Sequence, residues 1–269
     1  MIIDFHTHIF PDKIADKTIS YLMEKGGIPS FSNGTASMLI NKMIEADVDI
    51  SIALPAMTTP KQFDSINHFA MEINERYKNE SKRIISFAGI HPDCEDIGGK
   101  MRFIKDSGFI GIKLHPDYQG TFINDEKYVR ILEYAKEYDL VAVTHSGVDC
   151  GFLGEPVKCT PSLVKDLIKK VPHSMLVLAH MGANEMHNEV IDALCGLDVY
   201  FDTAYVLRFI GEEKFKEILK RHGEDKILFA TDTPWSDIEN DVNIIKSFGL
   251  DKKTENKIFY ENAKRLLGI

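Results

Sequence analysis

Eight short, β-rich apolar runs recur along the 269 residues, and the stretches between them carry apolar residues at helical spacing. The runs are residues 2–6, 48–54, 84–90, 109–115, 140–145, 175–180, 199–203 and 227–231. Their starts lie about 32 residues apart on average, close to one strand-helix-strand step of about 30 residues. The sequence therefore predicts one α/β domain over residues 1–269, folded as a (β/α)8 TIM barrel. An open doubly wound sheet is the alternative, because strand order cannot be read from a sequence.

The connection after the first strand is the longest, and it contains two helical stretches, residues 13–25 and 36–46. We expect one of them to be an extra element over the mouth of the barrel. The segment between them, residues 26–34, is a candidate mobile lid, because loops of this kind often close over active sites.

Charge and cysteine content limit the classes of partner and compartment. The chain has 32 Lys plus Arg and 41 Asp plus Glu, which gives a formal net charge of −9. Because no cluster of cations is present, the sequence predicts a small-molecule partner rather than a nucleic acid or an anionic membrane. Four cysteines with no CxxC pair, and the lack of a signal-like or membrane-spanning run, predict a cytoplasmic protein. Homo-oligomerisation remains open.

Histidine is concentrated at the ends of the predicted strands. Six of the ten histidines lie there: His6, His8, His91, His115, His145 and His180. Because parallel barrel strands all end at one face, these side chains should converge. His6 and His8 form an HxH pair, and strand alternation is expected to place Asp4 on the same face.

With His145, His180 and Asp232 the pattern extends to HxH…H…H…D, every member at a strand end. Imidazole nitrogens and a carboxylate oxygen predict a divalent metal, with zinc as the first choice and manganese, iron or cobalt as alternatives. A position left for water would give a metal-activated nucleophile, which indicates hydrolysis or a related reaction. A hydrogen-bonded core histidine is the structural alternative for any single member.

These motifs resemble the amidohydrolase superfamily, and specifically the amidohydrolase-related branch that includes the aminocarboxymuconate semialdehyde decarboxylase-like enzymes. The resemblance runs in order through IIDFHTHIF, GIKLHPDYQG, VTHSG, LAHMGA, FATDTPW and IFYENAKRLLG. It implies that His6, His8, His145 and Asp232 are metal ligands and that Asp232 also takes a proton from the bound water. It implies that His180 polarises the substrate or helps to activate water in enzymes with one metal, and binds the second ion in enzymes with two.

The number of metals depends on the fourth strand, where two-metal members of the superfamily place a carboxylated lysine or a glutamate as a bridge. Lys113 lies on that strand and shares its face with His115. Because burying an unpaired ammonium is costly, we expect Lys113 to pair with a substrate or a carboxylate. A carboxylated bridge, with a second ion held by Lys113 and His180, and a structural ion pair are the alternatives. One Zn²⁺ is the expected content.

Four residues besides Lys113 are secondary candidates for substrate contact. His115 and His91 each precede a proline at a strand exit, where a histidine is as often structural as functional. Arg208 could bind a substrate carboxylate through two hydrogen bonds, although arginine is also a common solvated or capping residue. Trp235 could form a wall of the pocket or pack beneath it.

The preferred interpretation is a metal-dependent hydrolase acting on a C–N or C–O acyl bond of a small, carboxylated substrate. In it Asp232 accepts the proton of water, and His180 stabilises or protonates the carbonyl oxygen. Decarboxylation without an oxidant, or hydration, at the same site is the first alternative. A deoxyribonuclease of the TatD type is disfavoured, because its fourth-strand Glu is missing and the net charge provides no basic groove. A barrel without catalysis, serving as a scaffold, is disfavoured by the intact ligand set.

Overall fold

Nine short parallel strands form the centre of the protein, which a computed structural model describes over residues 1–269. They are β1 (Ile3–Thr7), β2 (Ile50–Ala53), β3 (Arg83–Ser86), β4 (Ala88–Gly89), β5 (Gly111–Leu114), β6 (Val141–Thr144), β7 (Leu176–Leu178), β8 (Tyr200–Asp202) and β9 (Ile227–Leu228). β1 to β3 pair in order in one sheet, and β4 to β9 pair in order in a second. β3 and β4 are two halves of one predicted strand, so eight strand positions surround the barrel axis.

The two sheets close into a barrel through backbone hydrogen bonds. Phe5 N donates to the carbonyl of Phe229 at 2.9 Å, and Asp232 N donates to the carbonyl of His6 at 2.8 Å. These bonds join β1 to the segment that contains β9, and every strand pair is parallel. The prediction of a (β/α)8 TIM barrel is confirmed.

Phe87 lies between β3 and β4, and its ring packs closely against Gly111 of β5 and against Phe5 of β1. A Cβ atom at Gly111 would overlap this ring, so the neighbouring strand can pass only because residue 111 has no side chain. The ring also meets Phe5 edge-on, with centroids 6.1 Å apart. Two aromatic rings therefore occupy the barrel interior, where side chains rather than a pore fill the space.

Thirteen α-helices connect and surround the strands. They are α1 (Asp12–Gly26), α2 (Ala36–Glu45), α3 (Phe63–Tyr77), α4 (Ile97–Asp106), α5 (Pro116–Gln119), α6 (Glu126–Glu137), α7 (Pro161–Lys170), α8 (His187–Ala193), α9 (Leu207–Ile210), α10 (Glu212–His222), α11 (Ile238–Ser247), α12 (Lys252–Asn256) and α13 (Asn262–Leu267). The start of α7 shows how local sequence sets these bounds. The Thr160 side chain accepts from Leu163 N at 3.3 Å, and Pro161 occupies the first helical position.

Apolar residues form two layers because alternate strand residues face opposite ways. Ile112 and Leu114 of β5 pack outward against helix residues such as Leu132. Val141 and Val143 of β6 belong to the inner layer, together with both interior phenylalanines. His115 and His145, which directly follow β5 and β6, therefore point into the space above the inner layer.

The connection between β1 and β2 contains α1 and α2. Tyr21 and Leu22 of α1 lie at the wall of the cavity described below. Between the helices, Phe31 N donates to the carbonyl of Pro234 at 2.7 Å, which fastens residues 26–34 to the loop after β9. Whether this segment moves as a lid stays a prediction. None of the helices combines the length and apolar character needed to cross a membrane.

Candidate metal centre

A cavity of about 460 Å³ opens at the carboxyl ends of the barrel strands. Because parallel strands all end at this face, it collects residues that are far apart in sequence. Eight of the predicted site residues line it: His6, His8, Lys113, His115, His145, His180, Asp232 and Trp235. Apolar residues of α1, α3 and the loop after β2 form much of the remaining wall.

The pairing of β1 with β2 is irregular around His6. The pairing register with β2 shifts between Asp4 and Thr7, as it does at a β-bulge. Asp4 lies outside the cavity, where its carboxylate accepts from Thr231 N at 3.0 Å and from Thr231 Oγ1 at 2.6 Å. Burial raises the pKa of Asp4 to about 7. The expectation that Asp4 shares the face of the histidine pair is therefore wrong, because the bulge changes which side chains face inward.

His6, His8 and Asp232, which we call the first triad, direct their ligand atoms to one point. These atoms all lie within 4.8 Å of one another. Asp232 Oδ1 is 3.0 Å from His8 Nε2 and 3.4 Å from His6 Nε2. Nδ1–H of His8 donates to the carbonyl of Leu54 at 2.7 Å, so Nε2 of the neutral ring carries the lone pair. Histidines that bind metals are commonly oriented by such a bond at the other nitrogen.

Asp202 orients His6 in the same way. Its Oδ2 accepts Nδ1–H of His6 at 2.9 Å, and its Oδ1 accepts the backbone N–H groups of His180 and Ala204 at 2.9 and 3.1 Å. Burial raises the pKa of Asp202 to about 7, against the opposing hydrogen bond from His180 N–H. Asp202 was not among the residues predicted from the sequence. Its place as the last residue of β8 could have identified it.

Lys113 is buried next to the first triad. Its Nζ donates to Nε2 of His6 at 2.9 Å, so its hydrogen-bond partner is an imidazole rather than a carboxylate. Burial lowers the pKa of Lys113 to about 8, while attraction by Asp232 and Asp202 opposes the shift. The ammonium therefore occupies the direction in which His6 offers its lone pair to a cation.

Three further imidazoles form a row beside the first triad. Nδ1–H of His180 donates to the carbonyl of Ala204 at 2.9 Å, and His180 Nε2 is 3.0 Å from His145 Nδ1. The rings of His145 and His115 stack with centroids 4.3 Å apart and planes 4° apart. Burial lowers the pKa of His180 to about 4, and it lowers the pKa of His145 and of His115 well below the usual value. All three rings are therefore neutral at pH 7.

Asp149, which was not among the residues predicted from the sequence, faces two of these rings. Its Oδ2 lies 3.4 Å from His115 Nε2 and 3.9 Å from His145 Nε2. The ligand atoms of His115, His145 and Asp149, which we call the second triad, also lie within 4.8 Å of one another. The structure thus groups His145 with the second triad and not with the first. Burial raises the pKa of Asp149 to about 6. Its position in a strand-exit loop, four residues after His145, was the available signal.

Three residues other than glycine around the cavity have a left-handed backbone conformation. The φ angles are 64° at His180, 67° at Tyr205 and 67° at Asp232. This conformation costs about 1–2 kcal/mol for a residue with a side chain, and such strain concentrates at functional sites. Each of the three follows a different barrel strand, and its left-handed backbone directs its own side chain into the cavity.

Of the three remaining residues predicted to contact substrate, one lines the cavity and two do not. Trp235 lines the cavity, whereas Arg208 does not. Nη2 of Arg208 donates to the carbonyl of Trp235 at 3.0 Å, and the guanidinium lies 5.3 Å from the ring centre of Tyr205. Arg208 therefore supports the loop that carries Trp235 and is not brought together with the other candidates. His91 is buried outside the cavity, where its Nδ1 accepts a backbone N–H two residues on.

The first triad has donors that suit a divalent cation. It combines two imidazole nitrogens whose lone pairs are fixed by bonds at the opposite nitrogens with one carboxylate oxygen. Three protein ligands of this kind leave coordination positions for water or substrate, as catalytic zinc sites do. The same donor types accept manganese, iron and cobalt.

Comparisons with known proteins agree with this architecture. The family model for amidohydrolases matches residues 3–269, whereas no curated protein gives a match. A dihydroxybenzoic acid decarboxylase from Polaromonas, solved with manganese and 2-nitroresorcinol, has a TM-score of 0.72 at 15% identity, and 99% of this chain and 96% of that chain are covered.

Two more solved structures give the same result. A 5-carboxyvanillate decarboxylase from Novosphingobium aromaticivorans, complexed with manganese and a nitrobenzoic acid, has a TM-score of 0.72 at 15% identity, covering 100% of this chain and 96% of that one. A TIM-barrel protein from Bordetella bronchiseptica reaches 0.78 at 15% identity, with 99% and 98% covered. At these identities the likeness establishes the barrel fold.

Proposed function

The chain belongs to the amidohydrolase family, and on this premise we propose that it is a metal-dependent hydrolase acting on a C–N or C–O acyl bond of a small, carboxylated substrate. The observation that carries the proposal is the first triad. Two imidazole lone pairs, fixed by Asp202 and by the carbonyl of Leu54, converge on Asp232 at 3.0 and 3.4 Å.

His6, His8 and Asp232 would hold the ion, which would replace the hydrogen bond from Lys113 Nζ to His6 Nε2. Zinc is the first choice for this donor set, and manganese is supported by its presence in both decarboxylases of the same fold. A bound divalent ion would supply Lewis acidity, which lowers the pKa of water and polarises a carbonyl group. His145, the fourth ligand expected from the sequence, directs its nitrogens to His180 and to Asp149. Three protein ligands are enough for a catalytic site of this type.

Asp232 is the residue best placed to take a proton from the attacking water. Its Oδ1 faces both histidines of the first triad, so Oδ2 is the oxygen available to accept that proton. The left-handed backbone at Asp232, with φ of 67°, directs the carboxylate into the cavity. General base catalysis by a group positioned in this way contributes about 100-fold to 10,000-fold in rate.

His180 acts as a second proton acceptor rather than as an acid in the resting protein. Its Nδ1–H is committed to the carbonyl of Ala204 at 2.9 Å, so the neutral ring has its lone pair on Nε2. Burial lowers the pKa of His180 to about 4, which keeps this nitrogen free of a proton near pH 7. His180 would therefore accept a proton first, and would protonate a leaving group or carbonyl oxygen only afterwards.

The substrate would place its carboxylate near Lys113 and His115. The ammonium of Lys113 is the only lysine nitrogen buried in the cavity wall, while the apolar wall and Trp235 suit a flat or branched carbon skeleton. A neutral His115 can donate one N–H to a carboxylate oxygen. A cavity of about 460 Å³ is large enough for a small-molecule substrate.

Non-oxidative decarboxylation is the second candidate, and hydration would use the same residues. Two solved proteins of the same fold are decarboxylases. One acts on dihydroxybenzoic acid and the other on 5-carboxyvanillate. In that reaction the C–C bond to the carboxylate breaks, carbon dioxide leaves and the carbon takes up a proton. Asp232 or His180, once protonated by water or by the substrate, would supply that proton. The same residues thus serve both candidates.

Turnover in labelled water separates the two reactions. Lactones, amides and unsaturated or aromatic acids that carry a carboxylate are incubated with the metal-loaded protein. Hydrolysis places oxygen from labelled water in the product acid. Decarboxylation releases carbon dioxide and, in deuterated water, places deuterium on carbon. Activity that survives removal of all metal would contradict both candidates.

A further inference from the structure

Charge is distributed unevenly around the cavity. Its acidic and basic lining residues belong to or follow three strands, with Lys113 on β5, Asp149 after β6 and Asp232 after β9. The lining residues from α1, from the loop after β2 and from α3 include no charged side chain. We call this uncharged side the apolar lobe, and we define it by six side chains: Ile14, Tyr21, Leu22, Leu54, Ile66 and Phe69.

Two neighbouring apolar stripes run along α1, and only one of them packs against the protein. Ala15 and Ile19 are buried and anchor the helix. Ile14, Tyr21 and Leu22 lie on the adjacent face and line the cavity, where Ile14 is 49% exposed and Tyr21 is 58% exposed. Because the first stripe already holds the helix in place, the apolar side chains of the second are left uncovered, as they are in ligand-binding grooves.

Both ends of α1 are fastened across the mouth of the barrel. Just before the helix, Phe10 N donates to the carbonyl of Gly34 at 2.8 Å. At the other end, Nζ of Lys25 lies 4.4 Å from the ring centre of Tyr118 and 3.7 Å from that of Phe152, within the range of cation–π attraction. The lobe is therefore bounded by a helix that contacts the loops after β1, β5 and β6.

The polar side chains at the α3 end of the lobe are paired with one another. Oε1 of Gln62 accepts from Thr58 N at 2.8 Å and from Thr58 Oγ1 at 3.1 Å. Oγ of Ser65 donates to the carbonyl of Gln62 at 3.1 Å. None of the six side chains that define the lobe contributes an unpartnered buried polar atom. The lobe therefore favours an apolar group, since a buried charge would find no partner there.

The lobe begins next to the first triad. Leu54 is one of its six residues, and the Leu54 carbonyl accepts Nδ1–H of His8 at 2.7 Å. A reacting group at the first triad would thus border the lobe, while the ammonium of Lys113 remains on the charged side of the cavity. We propose that the substrate carries an uncharged apolar substituent in addition to its carboxylate, and that this substituent binds in the apolar lobe. The inference rests on the proposed function only for the reacting end of the substrate.

Chain-length dependence of inhibitor binding tests the lobe. Metal-loaded protein is titrated by calorimetry with straight-chain hydroxamic acids, from acetohydroxamic to octanohydroxamic acid, whose common head group chelates metals. Affinity should rise about fourfold for each methylene that enters the lobe. The 8-amino derivative of octanohydroxamic acid should lose most of this gain, because its ammonium has no partner in the lobe. Affinity that is independent of chain length would overturn the proposal.

A variant of α1 assigns the effect to the lobe. Ile14→Asn should lower the ratio of octanohydroxamic to acetohydroxamic affinity by about threefold or more, and the exposure of Ile14 makes the change compatible with folding. Met23→Asn is the matched control, since Met23 is an exposed apolar residue of the same helix that does not line the cavity. Circular dichroism melting checks that both variants are folded. Equal affinity ratios in the two variants would contradict the assignment.

A second series separates the lobe from the proposed metal chemistry. Straight-chain carboxylic acids from butyric to octanoic acid are titrated into metal-free protein, and their affinity should also rise with chain length because the lobe needs no ion. If this rise occurs but no hydroxamic acid binds the metal-loaded protein, the lobe is supported and the metal-dependent function is contradicted. If acetohydroxamic acid binds only with metal and neither series depends on chain length, the lobe is overturned and the metal site is kept.

Discussion

Nε2 of His8 lies 3.0 Å from Oδ1 of Asp232, although the two residues are separated by 224 positions in the sequence. Nδ1–H of His8 is committed to the carbonyl of Leu54, so a neutral His8 turns a lone pair toward a carboxylate. Two acceptors at this distance repel unless a cation or an additional proton lies between them. A divalent ion bound by the first triad, as proposed above, would resolve this contact and would supply the chemistry proposed for the site.

Asp232→Asn should remain folded and lose activity. The amide keeps the size of the side chain and can donate N–H to His8, but it removes a ligand charge and the proton acceptor. Turnover should fall by about 100-fold or more, the contribution of a positioned general base. Steady-state kinetics and a thermal melt measure the two effects. Asp198→Asn, at an exposed carboxylate, is the control, and turnover equal to that of the unaltered protein would rule out the proposed role.

Asp202→Asn should weaken metal binding without abolishing it. Oδ2 of Asp202 accepts Nδ1–H of His6 at 2.9 Å, on the side of the ring opposite Nε2. Loss of such a partner lowers the affinity for the metal by about 10-fold to 100-fold. Competition with a chromophoric chelator gives the dissociation constant of Zn²⁺. If Asp202→Asn binds zinc as tightly as the unaltered protein and as Asp198→Asn, Asp202 does not orient a metal ligand.

Removal of metal should lower the melting temperature. A ligand present at about 100 times its dissociation constant stabilises the folded state by about 2.7 kcal/mol, which corresponds to roughly 5–10 °C for a domain of this size. Differential scanning calorimetry with a chelator, and again after Zn²⁺ is restored, measures the shift. The melting temperature should recover on restoration. Identical melting with and without metal would mean that no ion binds the native state.

Asp241 should make stability fall as pH rises. It is fully buried on α11, and neither carboxylate oxygen has a hydrogen-bond partner. Burial raises the pKa of Asp241 to about 8, with attraction by Arg208 opposing the shift. Between about pH 4 and pH 8 the folded state therefore keeps a proton that the unfolded state releases. The free energy of unfolding loses at most about 1.4 kcal/mol per pH unit in this range.

Urea denaturation at pH 5 and pH 8 measures that loss. Asp241→Asn cannot ionise, so its stability relative to the unaltered protein should improve between pH 5 and pH 8. Glu239→Gln, at an exposed position of the same helix, is the matched control and should leave the pH dependence unchanged. An equal pH dependence in Asp241→Asn and in the unaltered protein would contradict the raised pKa.

The barrel could be predicted from the sequence because each strand is a local apolar run and each helix has its own periodicity. His6, His8, Lys113, His115, His145, His180 and Asp232 all reach one cavity for the same reason, since parallel strands end together. Strand alternation failed only at Asp4, where a register shift that depends on the neighbouring strand reversed the expected face.

Longer-range contacts could not be predicted. Asp202 meets His6 across 196 positions, and Arg208 meets the carbonyl of Trp235 rather than the cavity. The grouping of His145 with Asp149 depends on a hydrogen bond to His180 and on ring stacking with His115. These contacts are set by side-chain directions in the assembled barrel, which spacing along the chain does not encode.

Anomalous diffraction from crystals soaked in Zn²⁺ or Mn²⁺ is the decisive test of metal binding by the first triad, because it locates the ion without assuming a substrate. We expect a peak within about 2.0–2.2 Å of His6 Nε2, His8 Nε2 and an oxygen of Asp232, and loss of that peak in His8→Gln. A fully soaked crystal with no peak among these three residues would contradict it.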